Sequence, residues 1–421
     1  MAHTIVLFQP GKLETRTYWD FESLNDALEY ICHLYELHLK EDNPGLTTIT
    51  YDISQLFDYL DSLTDLSCLV FQRAANLYAP FPRDWIKEKI FIFLKREAIN
   101  RLFEKFTNET KTPCLTVGLR VGHMDGWVEW IDSFGSYADI ENNIPCTTQT
   151  MLKVASVSKA IGSALIGRLV EQGKLSWDLD ISNYISNDLF PKKKFANKSV
   201  NITLRQLITH QSGIRHSREQ DFMHDWEFRI NNSTQLLTWF SNDRLLFEPG
   251  HGYHYSNNGW SLIGAIVESI ENRPYHLVLE DFMHNIIGMP TATSESRDHL
   301  IMNRGRQYRI HNGKVLPPEI VDILRPYPHW PAGGVTARIE DLLIYGQQMY
   351  SSSYDIHSTK KSLLKPATIK EMWTYHNPNV SITKETIFPS LNFTFAIIAN
   401  HGSLNNQMDR LVIESLNYLF A

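Results

Sequence analysis

Apolar positions near the start of the chain predict a small antiparallel sheet. Strands are expected over Thr4–Gln9, Arg16–Phe21 and Leu66–Arg73. In the first and third of these strands, apolar side chains occupy both sets of alternating positions, so both faces of the sheet are apolar. Because helices can cover only one such face, we expect a second copy of the chain to cover the other. The alternative is a second layer supplied by the rest of the same chain.

Apolar residues at helical spacing predict three helices in the same region. Ser23 is expected to cap the first helix, which ends at Asn43-Pro44-Gly45, and the other two are expected over Ile53–Leu63 and Asp84–Arg96. Polar residues after the third helix mark a boundary. The pattern therefore predicts a small α+β domain, an antiparallel sheet with three helices, over residues 1–104.

The remaining residues, 105–421, are expected to form a second and larger domain. Two strands are predicted over Leu115–Val121 and Gly126–Ile131, and an apolar helix follows the segment Val154–Lys159. A Pro249-Gly250 turn lies ahead of another apolar helix. Strands and helices thus follow one another in this domain, as in an α/β fold.

Ser156 and Lys159 are three residues apart at the start of a predicted helix, so one face of its first turn carries both side chains. The hydroxyl lies at the positive end of the helix dipole, and the neighbouring amine can accept its proton. A Ser-x-x-Lys match by itself is more often a helix cap beside a surface lysine. The pair needs support from elsewhere in the chain.

The segment Tyr255-Ser256-Asn257 supplies that support. The Tyr255 hydroxyl can share a proton between Ser156 and Lys159, and the Asn257 amide can hold a substrate carbonyl. An isolated Tyr-x-Asn is commonly a turn with a packed tyrosine. The combination of both segments in one chain is much rarer, and it predicts nucleophilic catalysis.

Several segments of the first 100 residues match one known family. They are His3–Ile5, Arg16–Tyr18, Tyr51–Asp58, Asp65–Val70 and Asp84–Ile90. Through them this region closely resembles the enhancer of rudimentary family. The resemblance implies a small nuclear homodimer without catalytic activity, which binds peptide segments of RNA-processing and transcription proteins. It also implies phosphorylation at Thr17 and Ser23, each with an aspartate three residues on; a helix cap is the alternative for Ser23, and the two are compatible.

The rest of the chain, from about residue 100 onward, resembles a second family. The matching segments are the Ser-x-x-Lys and Tyr-Ser-Asn motifs with Leu204–Ile214, Ala332–Gly334, Tyr137–Cys146 and Asn303–Arg306. They resemble the serine β-lactamase and penicillin-binding-protein superfamily in its class C-like branch, and especially the mitochondrial serine β-lactamase-like proteins. The resemblance implies an antiparallel sheet flanked by helices, with a helical subdomain beside it.

This second resemblance also implies roles for individual residues. Ser156 would be the acylated nucleophile, Lys159 its base, Tyr255 a proton shuttle and Asn257 a substrate clamp, while the substrate would also contact the glycine pair Gly333-Gly334. The implied reaction is hydrolysis of amide or ester bonds through an acyl-enzyme.

One motif of that family is missing from the sequence. The family places Lys-Thr-Gly or His-Thr-Gly on the strand that lines the active site, where it supplies an oxyanion N–H and docks the substrate carboxylate. No such motif occurs between the predicted helix that ends at Met372-Trp373 and the predicted last strand, Phe393–Asn400. His311-Asn312-Gly313 lies too early and is interpreted as a turn. We therefore expect an incomplete carboxy-terminal sheet, because the motif has been lost or because the gene model is incomplete.

Charge and cysteine content limit the function further. The formal net charge of −7 argues against direct binding of nucleic acid over a broad surface. The cysteines Cys32, Cys68, Cys114 and Cys146 are scattered, and we expect them to be reduced core thiols. The chain start lacks signal-peptide and mitochondrial-presequence features, and no apolar run reaches the roughly 18 residues of a membrane span. We expect a nuclear or cytoplasmic protein without membrane contact.

Four histidines, His210, His216, His251 and His254, could suggest a metal site. They lack nearby carboxylate or cysteine ligands, so ordinary polarity is the more economical interpretation. A phosphate-binding glycine loop is also missing from the sequence. We therefore expect neither a metal nor another cofactor.

Three interpretations of the whole chain stay open. In the first, peptide binding by residues 1–100 defines the role, and the hydrolase-like domain has reduced or lost activity. In the second, the chain is an active serine hydrolase or peptidase acting on a small acyl or peptide substrate. In the third, two adjacent genes have been joined in one gene model. A complete third motif would favour the second interpretation.

Overall fold

The computed structural model separates the chain into two compact units, residues 1–106 with 405–421, and residues 107–404. The sequence predicted the change of domain after residue 104 and assigned the whole carboxy-terminal region to the second domain. The structure describes residues 2–45, 50–73, 75–123, 126–218, 221, 230–295, 300–317, 330–353, 362–374, 393–399, 407 and 410–415. Among these residues, none of the helices is long and apolar enough to cross a membrane.

The first unit has the small α+β fold that the sequence predicted. Its strands are β1 (Thr4–Gln9), β2 (Thr17–Phe21), β3 (Asp65–Gln72) and β4 (Leu77–Pro82), and its helices are α1 (Leu24–Asp42), α2 (Ile53–Ser62) and α3 (Arg83–Thr110). The strands form one antiparallel sheet in the order β2-β1-β3-β4. A 3-10 turn at Leu13–Thr15 lies between β1 and β2.

One face of this sheet is buried. Val6 and Phe8 of β1 and Cys68 and Val70 of β3 lie in a core with apolar residues of α1, α2 and α3. These four side chains point to the same face because successive residues of a strand alternate between faces. Burial against the helices therefore explains one of the two sets of alternating apolar positions in β1 and β3.

The other face of the sheet stays partly exposed in the single chain. Ile5 lies opposite Leu69 on this face, and both are half-buried. The outer strands add Tyr18 and Tyr78, which are 69% and 40% exposed. The open apolar face expected from the sequence is therefore present, while its coverage by a second copy stays a prediction.

Side-chain caps fix the beginning of α1 and α2. The Ser23 side chain accepts the main-chain N–H of Asp26 at 3.2 Å. Asp52 and Gln55 form a capping box at the start of α2. The capping role predicted for Ser23 is confirmed. Thr17 begins β2 and is half-buried, and phosphorylation of either residue stays a prediction.

The sequence did not predict β4. Two prolines, Pro80 and Pro82, interrupt its pattern, and proline cannot donate a ladder hydrogen bond. The structure places β4 at the edge of the sheet, beside β3 alone. At an edge the missing N–H groups cost little, so the strand is compatible with both prolines.

The second unit combines short sheets with helices. Its strands are β5 (Leu115–His123), β6 (Gly126–Phe134), β7 (Tyr137–Asp139), β8 (Ile144–Pro145), β9 (Leu152–Lys153), β10 (Lys194–Phe195), β11 (Lys198–Ser199), β12 (Thr293–Ser294), β13 (Arg309–His311), β14 (Lys314–Leu316), β15 (Val335–Ala337) and β16 (Phe393–Ala399). Its helices are α4 (Val157–Glu171), α5 (Leu204–Ile208), α6 (Ser233–Leu236), α7 (Asn257–Glu271), α8 (Tyr275–Asp281), α9 (Trp330–Gly333), α10 (Ile339–Ser353) and α11 (Pro366–Trp373).

Two antiparallel sheets organise this unit. The described strands of the larger sheet follow the order β16-β5-β6, and α10 packs against β5 and β16. The smaller sheet follows the order β12-β15-β9 and leads directly into the segment before α4. The stretch in which the third family motif is missing, residues 375–392, lies outside the described residues.

Buried apolar residues hold α4 and α7 in one core. Ile161 and Ile166 of α4 and Trp260 and Ile266 of α7 are almost completely buried. Gly162 lets the helices approach, since a methyl group there would lie 3.0 Å from the Trp260 ring. The core therefore fixes the relative position of α4 and α7. The predicted catalytic residues lie at or just before the starts of these two helices.

The prediction of four reduced cysteines is wrong for one pair. Cys114 and Cys146 form a disulfide, with their Cα atoms 5.3 Å apart. Their spacing of 32 residues gave no signal, because the folding of β5 to β8 is what brings them together. Cys32 and Cys68 are free and buried, and burial raises the pKa of both thiols to about 12.

Candidate active site

Ser156 lies at the turn between β9 and α4. The preceding residue, Ala155, has a φ of +46°, which is uncommon for a residue with a side chain and often accompanies functional sites. Ser156 is the N-cap residue, but its side chain makes no capping hydrogen bond. Its exposed hydroxyl is therefore available for other partners.

Lys159 lies one turn further along α4 and is 8% exposed. Its Nζ donates to Ser156 Oγ at 3.1 Å and to the main-chain oxygen of Ala332. The ammonium also lies 4.9 Å from the centre of the Tyr255 ring. These contacts aim the amine at the serine oxygen, as a base for that hydroxyl requires.

Tyr255 completes a triangle with these two residues. Its hydroxyl lies 2.6 Å from Ser156 Oγ, and either oxygen can be the donor. Ser256, the next residue, caps α7 by accepting the N–H of Gly259 at 2.9 Å and donates to the main-chain oxygen of Arg215. The helix cap thus anchors the loop that carries the tyrosine. The structure brings Ser156, Lys159 and Tyr255 into the contact that their motifs predicted.

Asn257 is the first residue of α7. Its Oδ1 atom is buried and, within the described part of the chain, has no hydrogen-bond partner. A buried amide oxygen without a partner is unusual in a folded protein. The prediction that Asn257 holds a substrate group is compatible with this environment and stays a prediction.

The two predicted glycines differ in their surroundings. A methyl group at Gly333 would make ordinary contact, at 3.7 Å, with the main chain of Ala155. A methyl group at Gly334 would lie 2.6 Å from the Cα of Trp330, so only glycine fits there. Gly334 therefore has a packing role, whereas Gly333 borders the turn that carries Ser156. Substrate contact by either glycine stays a prediction.

The segment Ala332–Val335 also supports the start of α4. The main-chain N–H of Val335 donates to Ser158 Oγ at 3.1 Å, and the N–H of Val154 donates to the oxygen of Val335 at 3.0 Å. Val335 therefore binds residues on both sides of Ser156 in the sequence, Val154 before it and Ser158 after it. The same segment also supplies the carbonyl that binds Lys159, a contact that the sequence did not predict.

Two histidines flank the tyrosine. The ring centre of His210 lies 4.5 Å from that of Tyr255, and the ring centre of His216 lies 5.7 Å from it. Burial and the nearby charge of Lys159 lower the pKa of His210 to about 4, so its ring is neutral near pH 7. The sequence gave these residues no catalytic role, although the Thr-His-x-Ser-Gly run contained one of them.

Comparisons with known proteins assign two parts of the chain to two families. Residues 1–100 match the family described as Enhancer of rudimentary, and residues 99–386 match the family described as Beta-lactamase. The chain therefore belongs to the Beta-lactamase family, with an amino-terminal domain of the Enhancer of rudimentary family. The two resemblances predicted from the sequence are confirmed.

Curated relatives match one domain each. Protein enhancer of rudimentary from Drosophila virilis is 57% identical over 101 residues, which make up 24% of this chain and 97% of that protein. Serine beta-lactamase-like protein LACTB, mitochondrial, from Homo sapiens is 28% identical over 359 residues, which make up 69% of this chain and 64% of that protein. The chain thus spans less than two thirds of the second relative's length.

Solved structures show the same fold in the second unit. EstCE1, described as a hydrolase with promiscuous acyltransferase activity, superposes with a TM-score of 0.63 at 17% identity, over 78% of this chain and 98% of its own. A penicillin-binding protein from Bacillus halodurans gives a TM-score of 0.58 at 20% identity, over 75% and 98%. The predicted β-lactamase and penicillin-binding-protein fold is confirmed.

Proposed function

We propose that the second domain forms an acyl-enzyme at Ser156 with an ester or amide substrate. The observation that carries this proposal is the triangle of Ser156, Lys159 and Tyr255, in which Ser156 Oγ lies 3.1 Å from Lys159 Nζ and 2.6 Å from the Tyr255 hydroxyl. A hydroxyl with an adjacent base and a second proton carrier is the arrangement that nucleophilic acyl transfer needs.

The reaction follows from these contacts. Ser156 Oγ attacks the substrate carbonyl carbon while its proton passes to Lys159 Nζ, a step for which the lysine must first have released its own extra proton. Tyr255 carries a proton from the lysine side to the leaving oxygen or nitrogen, the bond to the leaving group breaks, and the acyl group stays on Ser156. Water then attacks the acyl carbon and gives a proton through Tyr255 to Lys159. The bond between the acyl carbon and Ser156 Oγ breaks, Lys159 returns a proton to Ser156 Oγ, and the carboxylic acid leaves. The amide of Asn257 holds the substrate during both steps.

Hydrolytic turnover by this chain is proposed to be reduced or lost. The sequence has no Lys-Thr-Gly or His-Thr-Gly motif after the glycine pair, and the family uses that motif for an oxyanion donor. Loss of one such donor typically costs about 10²–10³ in rate. The acylating residues themselves lie on α4 and on the loop before α7, so slow acylation is compatible with weak turnover.

A labelling experiment tests the acylation proposal. The full chain is incubated with a fluorophosphonate, and the modified peptide is mapped by mass spectrometry. We expect the label on Ser156, and none in the Ser156→Ala variant. Labelling at another serine, with Ser156 unmodified at long times, would contradict the proposal.

For the first domain we propose a homodimeric adaptor that binds peptide segments of RNA-processing or transcription proteins, in the nucleus or cytoplasm. The open apolar face around Ile5 and Leu69 supports the dimer, because an exposed face of this kind favours a second protein surface. Phosphorylation at Thr17 or Ser23 would add charge beside the sheet or at the start of α1, where the helix dipole favours it. Imaging of the tagged full chain tests the location, and exclusion from both compartments would contradict it.

A further inference from the structure

His210 contacts the chain on both sides of Tyr255. The main-chain N–H of His254 donates to the carbonyl oxygen of His210 at 2.9 Å. The main-chain N–H of Ser256 donates to Nδ1 of the His210 ring at 3.1 Å. The ring itself packs against the tyrosine ring. A single residue therefore fixes the segment immediately before and immediately after the tyrosine.

The backbone of His210 is suited to this double contact. Helix α5 ends two residues earlier, and His210 adopts a left-handed conformation with a φ of +61°. The N–H of Gln211 closes the turn by donating to the oxygen of Gln206 at 2.7 Å. Left-handed backbone is uncommon for a residue with a side chain, and at functional sites it often serves to aim a group.

His216 makes a parallel contact one residue further along. The main-chain N–H of Asn257 donates to Nδ1 of His216 at 3.2 Å. Successive N–H groups at the start of α7 thus donate to two imidazole nitrogens. A nitrogen that accepts a hydrogen bond carries no proton, so both rings must be in the tautomer protonated on Nε2.

We propose that His210, with His216 beside it, is a positioning residue for Tyr255, and that it holds the tyrosine hydroxyl against Ser156 only while its ring is neutral. This inference rests on the proposed acyl-enzyme function. Protonation of His210 would turn Nδ1 into a donor that faces the N–H of Ser256. Two donors cannot share a hydrogen bond, so the loop would lose the ring contact that holds the N–H of Ser256, and Tyr255 would lose this part of its positioning.

The surroundings of His210 keep its ring neutral. Lys159 faces it from α4, His216 faces it from the loop after α5, and His254, Tyr253 and Tyr255 face it from the segment before α7. Burial is the largest effect, and the positive charge of Lys159 adds to it, so the pKa of His210 falls to about 4. The pH therefore has to fall well below 7 before the hydrogen bond from the Ser256 N–H to the His210 ring is lost.

Substitutions in the full chain test the proposal. His210→Leu removes the acceptor at similar volume, whereas the side-chain oxygen of His210→Asn can accept the Ser256 N–H and cannot be protonated. We expect His210→Leu to slow acylation of Ser156 by p-nitrophenyl acetate about 10- to 100-fold, and His210→Asn to restore most of the rate. His251→Asn, at an exposed histidine before the same loop, is the matched control and should behave like the unaltered chain.

A double-mutant cycle shows whether His210 acts through the tyrosine. In a Tyr255→Phe background, His210→Leu should cause no further loss of acylation. Equal losses in both backgrounds, or a His210→Asn variant as slow as His210→Leu, would overturn the proposal. Melting temperatures of all variants show whether a loss of rate reflects unfolding.

Nuclear magnetic resonance of the unaltered chain, labelled with ¹⁵N-histidine, tests the contact independently of catalysis. We expect a neutral His210 ring at pH 7, with the proton on Nε2 and Nδ1 unprotonated. A proton on Nδ1 at pH 7 would overturn the inference even if every variant failed to fold. If the unaltered chain shows no acylation that depends on Ser156, the proposed function itself fails, and the resonance measurement still decides whether His210 accepts the bond.

Discussion

The Tyr255 hydroxyl lies 2.6 Å from Ser156 Oγ, although 99 residues separate them in the sequence. Two helix starts meet at this contact. Ser156 lies at the start of α4, and Tyr255 lies two residues before α7, whose cap is Ser256. Because a shared apolar core fixes the two helices, the contact is a consequence of packing and not of local sequence alone.

Removal of this contact should slow acylation selectively. We expect Tyr255→Phe to reduce the rate of Ser156 acylation about 10²- to 10⁴-fold, since that is the usual contribution of a positioned acid or base. The melting temperature should change little, because Tyr255 is exposed. Tyr253→Phe, in the same loop, is the matched control for stopped-flow ester kinetics. Equal rates for Tyr255→Phe and the unaltered chain would exclude a proton-transfer role.

The open face of the first sheet should mediate dimer formation. We expect the full chain to sediment as a dimer at micromolar concentration, and Leu69→Asp to shift it to the monomer. Each Å² of apolar surface buried between the copies contributes roughly 25 cal/mol, and a buried charge opposes that burial. Leu37→Asp, at an exposed position of α1, is the control and should remain dimeric. A stable monomer of the unaltered chain would refute the dimer.

Stability should fall in acid because of His210. The folded chain binds this proton only near pH 4, whereas an ordinary histidine binds it near pH 6.5, so protonation favours the unfolded state. The contribution to stability is complete above pH 6.5 and is lost as the pH falls towards 4. It amounts to about 3 kcal/mol.

Denaturant titrations at several pH values measure this effect. The free energy of unfolding of the second domain should depend less on pH between 6.5 and 4 in His210→Asn than in the unaltered chain. His251→Asn should keep the original dependence. Identical pH profiles for His210→Asn and the unaltered chain would show that the ring titrates normally in the folded state.

The disulfide should stabilise the second domain. It closes a segment of 32 residues, for which the chain-entropy model gives about 3–4 kcal/mol. Reduction, or a paired Cys114→Ser and Cys146→Ser substitution, should therefore lower the melting temperature of this domain. Cys32→Ser and Cys68→Ser remove the free thiols and serve as controls for reagent effects. No shift on reduction, with the thiols shown to be alkylated, would contradict the bond.

Features that depend on neighbouring residues alone could be predicted from the sequence. Strand β1 was predicted with its observed limits, and the Ser23 cap follows from the preference of serine for that position. Ser156 and Lys159 share a helix turn, so their contact could be predicted from spacing alone. Tyr255 could be assigned through family resemblance, because its contact with Ser156 depends on a tertiary core.

Other features depend on tertiary structure that spacing does not reveal. The disulfide between Cys114 and Cys146 depends on the tertiary arrangement of β5 to β8, which brings the two residues together. The carbonyl of Ala332 that binds Lys159 comes from a segment 173 residues away. His210 lies in a segment that matched the family, but its type and position gave no catalytic signal, since its proposed role depends on a tertiary contact between its ring and the loop that carries Tyr255.

We propose that the chain acylates at Ser156 but turns over slowly, because the third family motif is missing from the sequence. The direct test is the time course of p-nitrophenol release from an activated ester by the full chain, beside Ser156→Ala. This proposal leads us to expect a burst of about one equivalent followed by steady turnover below about 1 per second, with both phases absent in the variant. Steady turnover on the order of 1–10³ per second that disappears in Ser156→Ala would contradict it, and would mean that another segment completes the oxyanion site.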